Sequence, residues 1–241
     1  MQDDFTEAAY GQLLDAAMAR FRFVDLAEPL SDDAVCLWRH DIDMSPHRAY
    51  RLANMEAERG LQAHYFVMFG SLFYNAFEPA VTKLLRQLPR LGHSVGLHFC
   101  PAMQHVADLR DMEDSLMREA NALSALIDAP VTSFTLHNPT AMAGVALDQL
   151  HHGALLNASA PALVGSFTYC SDSNGLWRHR RLDEVVEDNS VTRLYALTHP
   201  EWWTPDAMSP RARIQRCIDG RAARVGKEYD EDIASFGRPN R

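Results

Sequence analysis

The chain has 241 residues, 47% hydrophobic and 23% charged, the balance of a water-soluble globular protein with length for one large domain. A formal charge of −9 excludes a sequence-independent nucleic-acid binder, which needs a clustered surplus of Lys and Arg, and no stretch nears the roughly 18 apolar residues of a membrane span. The start MQDDFTEAAY has acids where a secretory leader has positive charge and lacks its apolar core, so a cytoplasmic protein is expected.

Residues 6–20 read as an N-terminal helix opening at Thr6, with Ala9, Leu13, Ala16 and Ala17 at helical spacing. After a connector around Pro29, Asp32 and Asp33, residues 34–39 form a short apolar strand ending at the polar cluster His40, Asp41 and Asp43. Ser45 can cap the next helix, Pro46 suits its first position, and Gly60 fits the left-handed position beyond its end. The pattern then recurs: strand 63–69, helix 78–90, strand 94–99, helix 105–128, strand 131–136, a short helix at 145–152, strands 153–156, 166–170 and 193–198, and a C-terminal helical extension at about 207–226. Strands alternating with helices predict parallel strands joined by helical crossovers in a single domain spanning residues 1–241. The arginines between 211 and 227 are spread around the last helix and answered by Glu228, Asp230, Glu231 and Asp232, which predicts a solvated face. Cys36, Cys100, Cys170 and Cys217 form no CxxC pair, and reduced thiols are expected.

The reactive side chains fall at strand ends: His40, Asp41 and Asp43 after the first, His98 ending the third, His137 after the fourth, Asp172 after the strand at 166, and His199 after the last. In parallel α/β folds that edge carries the active site. Asp41 and Asp43, two apart, can point the same way; the pair either caps the following helix or divides the work of holding a divalent cation and taking a proton from water. His98 is a metal ligand or a satisfied core histidine, and Asp43 nearby favours the ligand. His93, out of phase with His98, reads as structural. His137 is either a ligand or a substrate contact, and His199 is a general acid or a loop histidine. Asp172 can hydrogen-bond His199, while Trp177, Trp202 and Trp203 are core residues or flat faces for a sugar. His151 and His152 are explained by a favourable helix-end position.

RHDID at 39–43, GHSVGLH at 92–98, FTLHNP at 134–139, SDSNGLW at 171–177 and LTHP at 197–200 together resemble the polysaccharide deacetylase superfamily (NodB homology, carbohydrate esterase family 4). The resemblance implies an α/β fold, a distorted (β/α) barrel of about seven parallel strands, with one divalent metal ion, usually zinc, at its C-terminal face. It implies Asp41 as catalytic base, Asp43 and His98 as ligands, Asp172 as the residue tuning the acid, His199 as that acid, and Trp177 and Leu197 as walls of the acetyl pocket; Trp202 is a further candidate for substrate binding, with a subunit contact as its alternative. Two departures stand out. The second ligand histidine of the family falls at Ala102, and the family's Arg is absent from the segment holding His137. His137 is the first candidate to replace the missing ligand, with His105 and Cys100 behind it.

The expected activity is hydrolytic removal of an acetyl group from an N-acetylated sugar, polysaccharide or activated sugar precursor, in surface polysaccharide biosynthesis. The alternative is a non-catalytic carbohydrate-binding or scaffold protein on the same fold.

Overall fold

A computed structural model describes residues 5–28, 33–103, 106, 108–138, 148–177 and 179–239. Helix α1 (Glu7–Met18) opens where Thr6 Oγ1 accepts from Ala9 N. There follow β1 (Arg22–Phe23), β2 (Val35–Ile42), α2 (Pro46–Ala57), β3 (His64–Val67), α3 (Pro79–Leu85), α4 (Gln87–Arg90), β4 (Ser94–Phe99) and α5 (Leu109–Ile127). The second half holds β5 (Ser133–Leu136), β6 (His151–His152), β7 (Leu155–Asn157), α6 (Pro161–Val164), β8 (Thr168–Ser171), α7 (Leu182–Glu187), β9 (Arg193–Thr198) and α8 (Pro210–Ser235). Among the described residues no helix is long and apolar enough to cross a membrane.

The strands form one sheet in the order β6-β7-β5-β4-β3-β2-β9-β8, with β1 beside the start of β2. All pairings are parallel except β6 with β7, and the sheet curls into a half-barrel, the distorted (β/α) barrel expected. All eight residues of β2 are buried, so its period-two alternation separates two faces rather than core from solvent. Cys36, Trp38, His40 and Ile42 face the helices, where the larger core lies. Val35 and Leu37 instead join Phe66 and Tyr195 in a small inner cluster, and Arg39 and Asp41 continue that inner row toward the mouth.

Several expected boundaries move. The strand at 34–39 runs on through Ile42, because its polar residues find partners on both faces. His40 therefore does not follow the strand but lies within it, turned away from Asp41: its Nε2 is 2.6 Å from Glu56 Oε1 and its Nδ1 2.6 Å from Thr198 Oγ1. Tyr65 and Tyr10 donate to the same Glu56 carboxylate, and Trp38 Nε1 donates to Tyr10 Oη. Burial opposes a charge on Glu56, but the His40 imidazole and these donors hold its carboxyl below the ordinary range, so the group is buried with its partners supplied. His93 is structural as expected, with Nε2 2.9 Å from Ala53 O and Nδ1 accepting from Ala63 N.

The helix at 78–90 divides into α3 and α4 because Pro89 has no N–H for the carbonyl four residues back. Of the helix expected at 145–152, residues 145–147 lie outside the described set, as do Pro29, Asp32 and His105, and the remainder is not helical. His151 and His152 form β6, turned antiparallel onto β7 through Gly153 at φ 58°. His152 is buried edge-on to Phe134, with Nδ1 3.4 Å from Glu113 Oε1, so no helix-end effect accounts for it. The C-terminal helix runs to Ser235, and its arginines are not all solvated: Arg213 is buried, and Arg221 and Arg224 both pair with Glu78 at the start of α3.

Gly96 sits on the inner face opposite Phe66, and a Cβ there would lie 2.3 Å from the Phe66 ring. Gly96→Ala is expected to lower stability by about 1–3 kcal/mol through overpacking, read as a drop in the urea midpoint at unchanged slope.

Candidate active site

The C-terminal ends of β2, β4, β5, β8 and β9 meet at a cavity of about 580 Å³ lined by Arg39, Asp41, Asp43, His98, His137, Leu197, His199 and Trp202, among others. Each side chain arrives there by strand parity. Arg39 and Asp41 are inner-face residues of β2; Arg39 is in register with Leu197 of β9, and His98 with Thr135 of β5. Asp43 lies one residue past β2, where the loop is pinned by Ser71 Oγ donating to Asp43 O and Tyr74 Oη donating to Ile42 O.

Asp43, His98 and His137 each offer one ligand atom, and these atoms all lie within 4.8 Å of one another. His98 Nε2 is 3.1 Å and His137 Nδ1 3.6 Å from Asp43 Oδ1, and the two ring nitrogens are 3.2 Å apart. His98 Nδ1 lies 2.6 Å from Thr135 Oγ1; a proton held there turns the Nε2 lone pair toward Asp43. Among the described residues Asp43 Oδ1 is buried without a hydrogen-bond partner, and burial would raise its pKa, but the facing His137 and His98 imidazoles hold the carboxyl well below the usual range. One carboxylate oxygen and two imidazole nitrogens converging on one space, one oxygen unfilled, are a donor set that fits a borderline divalent ion such as zinc. Cys100 stands outside this group.

Asp41 is set apart by Arg39, whose Nε and Nη2 donate to Oδ1 and Oδ2 at 2.8 and 2.6 Å. Burial works against the charge, but the guanidinium outweighs it and keeps Asp41 ionised. Asp41 Oδ2 is 3.7 Å from His98 Nδ1.

Across the cavity Asp172, fully buried, accepts from the His199 backbone N and from Trp203 Nε1, and its Oδ1 is 2.6 Å from His199 Nδ1. Burial lowers the His199 pKa, but the Asp172 carboxylate prevails and pushes it up to about 10. The imidazolium is therefore the stable form at neutral pH, suited to giving a proton from Nε2. Because the folded-state pKa is raised, loss of the carboxylate shifts deprotonation to lower pH. Asp172→Asn is expected to move the alkaline limb of the activity profile down by roughly 1–3 pH units; an unmoved limb would dissociate Asp172 from the acid.

Leu197 and Trp202 line the cavity, and the buried Trp202 Nε1 has no hydrogen-bond partner among the described residues. Trp177 is not brought there. It stacks on Phe5 at 5.1 Å and stands 6.2 Å from Trp203, partly buried against the core, because packing large apolar rings together outweighs leaving one at the mouth. Trp203 is likewise a core residue. Sequence reasoning missed Arg39, Thr135 and Tyr169, all on the cavity wall or behind a ligand. The first two are found by parity, two residues before Asp41 and His137.

No family model matches the sequence, and no curated protein matches it. Similar solved structures are carbohydrate esterases and deacetylases of family 4. The catalytic domain of peptidoglycan N-acetylglucosamine deacetylase from Eubacterium rectale ATCC 33656 superposes with a TM-score of 0.50 over 83% of this chain and 89% of that one, at 13% identity. A family 4 carbohydrate esterase from Bacillus anthracis gives 0.47 over 89% and 86%, at 14% identity. A wild-type family 4 pseudoenzyme from Bacillus anthracis gives 0.42 at 10% identity, over 82% of this chain and 62% of that one. A mutant of such a pseudoenzyme with restored activity gives 0.44 at 9% identity, and the chain spans 64% of its length. The fold is that of the family 4 deacetylases.

Proposed function

From a fold shared with family 4 deacetylases, we propose that this protein is a metal-dependent hydrolase removing the acetyl group from an N-acetylated sugar or activated sugar precursor. Surface polysaccharide biosynthesis is the setting we assign to it. The observation that carries the reading is the meeting of three ligand atoms from Asp43, His98 and His137 in one cavity with Asp41, paired to Arg39, and His199, paired to Asp172.

A divalent ion held by Asp43, His98 and His137, zinc being the best match to these donors, supplies Lewis-acid polarisation of the acetyl carbonyl and of water. Asp41 takes the proton of the attacking water, and Arg39 holds its carboxylate oriented and charged. His199 passes a proton from Nε2 to the amine nitrogen as the C–N bond breaks, while Asp172 fixes the ring through Nδ1. Acetate and the free amino sugar leave, with Leu197 and Trp202 walling the methyl.

The test is elemental analysis of protein purified without chelators, paired with acetate release from a panel of N- and O-acetylated sugars and activated sugar precursors. About one equivalent of zinc per chain, lost in Asp43→Ala, with acetate released from an N-acetylated member, is the expected result. Absence of metal after reconstitution, with no acetate from any member, overturns it in favour of a carbohydrate-binding protein on the same fold.

A further inference from the structure

The arginines of α8 gather around a second cavity of about 440 Å³, between the start of α2, α3 and α8. It lies behind the active site: Met44 lines both cavities, Glu201 faces this one, and the neighbouring Trp202 faces the other.

Its charge is out of balance. Arg48, Arg213, Arg216, Arg221 and Arg224 all line it, in a chain whose net charge is −9. Glu7 pairs with Arg48, and the single carboxylate of Glu78 pairs with both Arg221 and Arg224. Arg213 and Arg216 have no carboxylate partner among the described residues. Arg213 is only 2% exposed, and its hydrogen bonds go to neutral oxygens, Thr204 Oγ1 and Phe5 O, each at 3.3 Å. A guanidinium buried without a counter-charge is costly, and burial pulls its pKa down.

Donors are left over as well. Arg48 is 9% exposed, and its Nη2 is buried with no acceptor among the described residues; the same holds for Arg224 Nη1. Glu201 is 2% exposed, and among the described residues neither carboxylate oxygen is partnered; burial together with repulsion from Asp43 raises its pKa well above the ordinary value. The positive end of α2 points the same way.

We propose that this cavity binds the phosphate group of a small molecule, at a site separate from the acetyl-removing centre. Two guanidiniums without a carboxylate partner among the described residues call for more than a monocarboxylate, and forked N–H donors match phosphate oxygens. The volume exceeds that of the anion itself, leaving room for the molecule that carries it. A ligand seated there meets Glu201, two residues beyond His199, so its binding bears on the acid side of the active site.

The test uses inorganic phosphate and pyrophosphate as probes, with acetate and chloride at matched ionic strength. Titration calorimetry and the thermal midpoint are read for the full chain, for Asp43→Ala and for Arg216→Ala. Arg216 is exposed and has no partner among the described residues, so its replacement should leave the midpoint in chloride unchanged. The expected result is binding of phosphate or pyrophosphate, retained in Asp43→Ala and weakened about tenfold or more in Arg216→Ala. Binding lost in Asp43→Ala assigns the anion to the metal site and overturns the proposal. So do equal affinity in Arg216→Ala, equal affinity for acetate, or no binding at all. None of these outcomes depends on whether the active site turns over.

Discussion

Asp41→Asn is expected to lower acetate release by about 10²–10⁴-fold, the usual contribution of a general base, while leaving metal content unchanged. The substitution keeps the shape and one acceptor but removes the charge that draws a proton from water. Asp41 is not part of the converging ligand set, which consists of Asp43, His98 and His137, so metal analysis separates the two roles. The change also has a structural cost. Arg39 is buried, and both its contacts to Asp41 are charge-assisted; breaking such a pair outright costs about 3–5 kcal/mol, and the amide oxygen recovers part of that. A urea titration alongside the assay shows whether the protein remains folded where activity is lost. Turnover near the parent level in a folded, metal-loaded variant would remove Asp41 from the chemistry.

The second large effect is on the metal. His137→Ala deletes one of the three converging ligand atoms and is expected to weaken metal affinity by well over the roughly 10–100-fold that second-shell changes cost. Thr135→Val supplies the comparison, because Thr135 only holds the far side of the His98 ring; its effect should stay within that second-shell range. Competition with a chromogenic chelator measures both. His137 is partly exposed at the cavity wall, so its loss leaves the core intact. Equal affinities in the two variants would mean that His137 is not a ligand, and that the third place lies outside Asp43, His98 and His137.

How much of this was legible beforehand follows from what each signal depends on. Alternation of apolar strands with amphipathic helices requires only local periodicity, and it anticipated a parallel sheet and the edge where Asp41, Asp43, His98, His137, Asp172 and His199 gather. Position at a strand end left His137 as ligand or substrate contact, the resemblance with its departure at Ala102 made it the first candidate ligand, and the structure brings His137 to Asp43 and His98. Parity also contained Arg39 and Thr135, but a buried strand with polar residues on both faces conceals which polar group belongs to the site. His40 adjoins Asp41 in the chain and yet faces Glu56 on the other side of the sheet.

Sequence by itself determined the order of elements, the mouth of the half-barrel and the identity of the reactive groups, because these depend on propensity, period and residue chemistry. Tertiary structure alone decided which groups meet. Trp177 was drawn against the core by Phe5, β6 was made by pairing with β7 rather than by its own residues, and Arg221 and Arg224 of α8 were turned onto Glu78 beside an arginine-lined cavity. Each of these outcomes rests on contacts between residues distant in the chain, which no local pattern encodes.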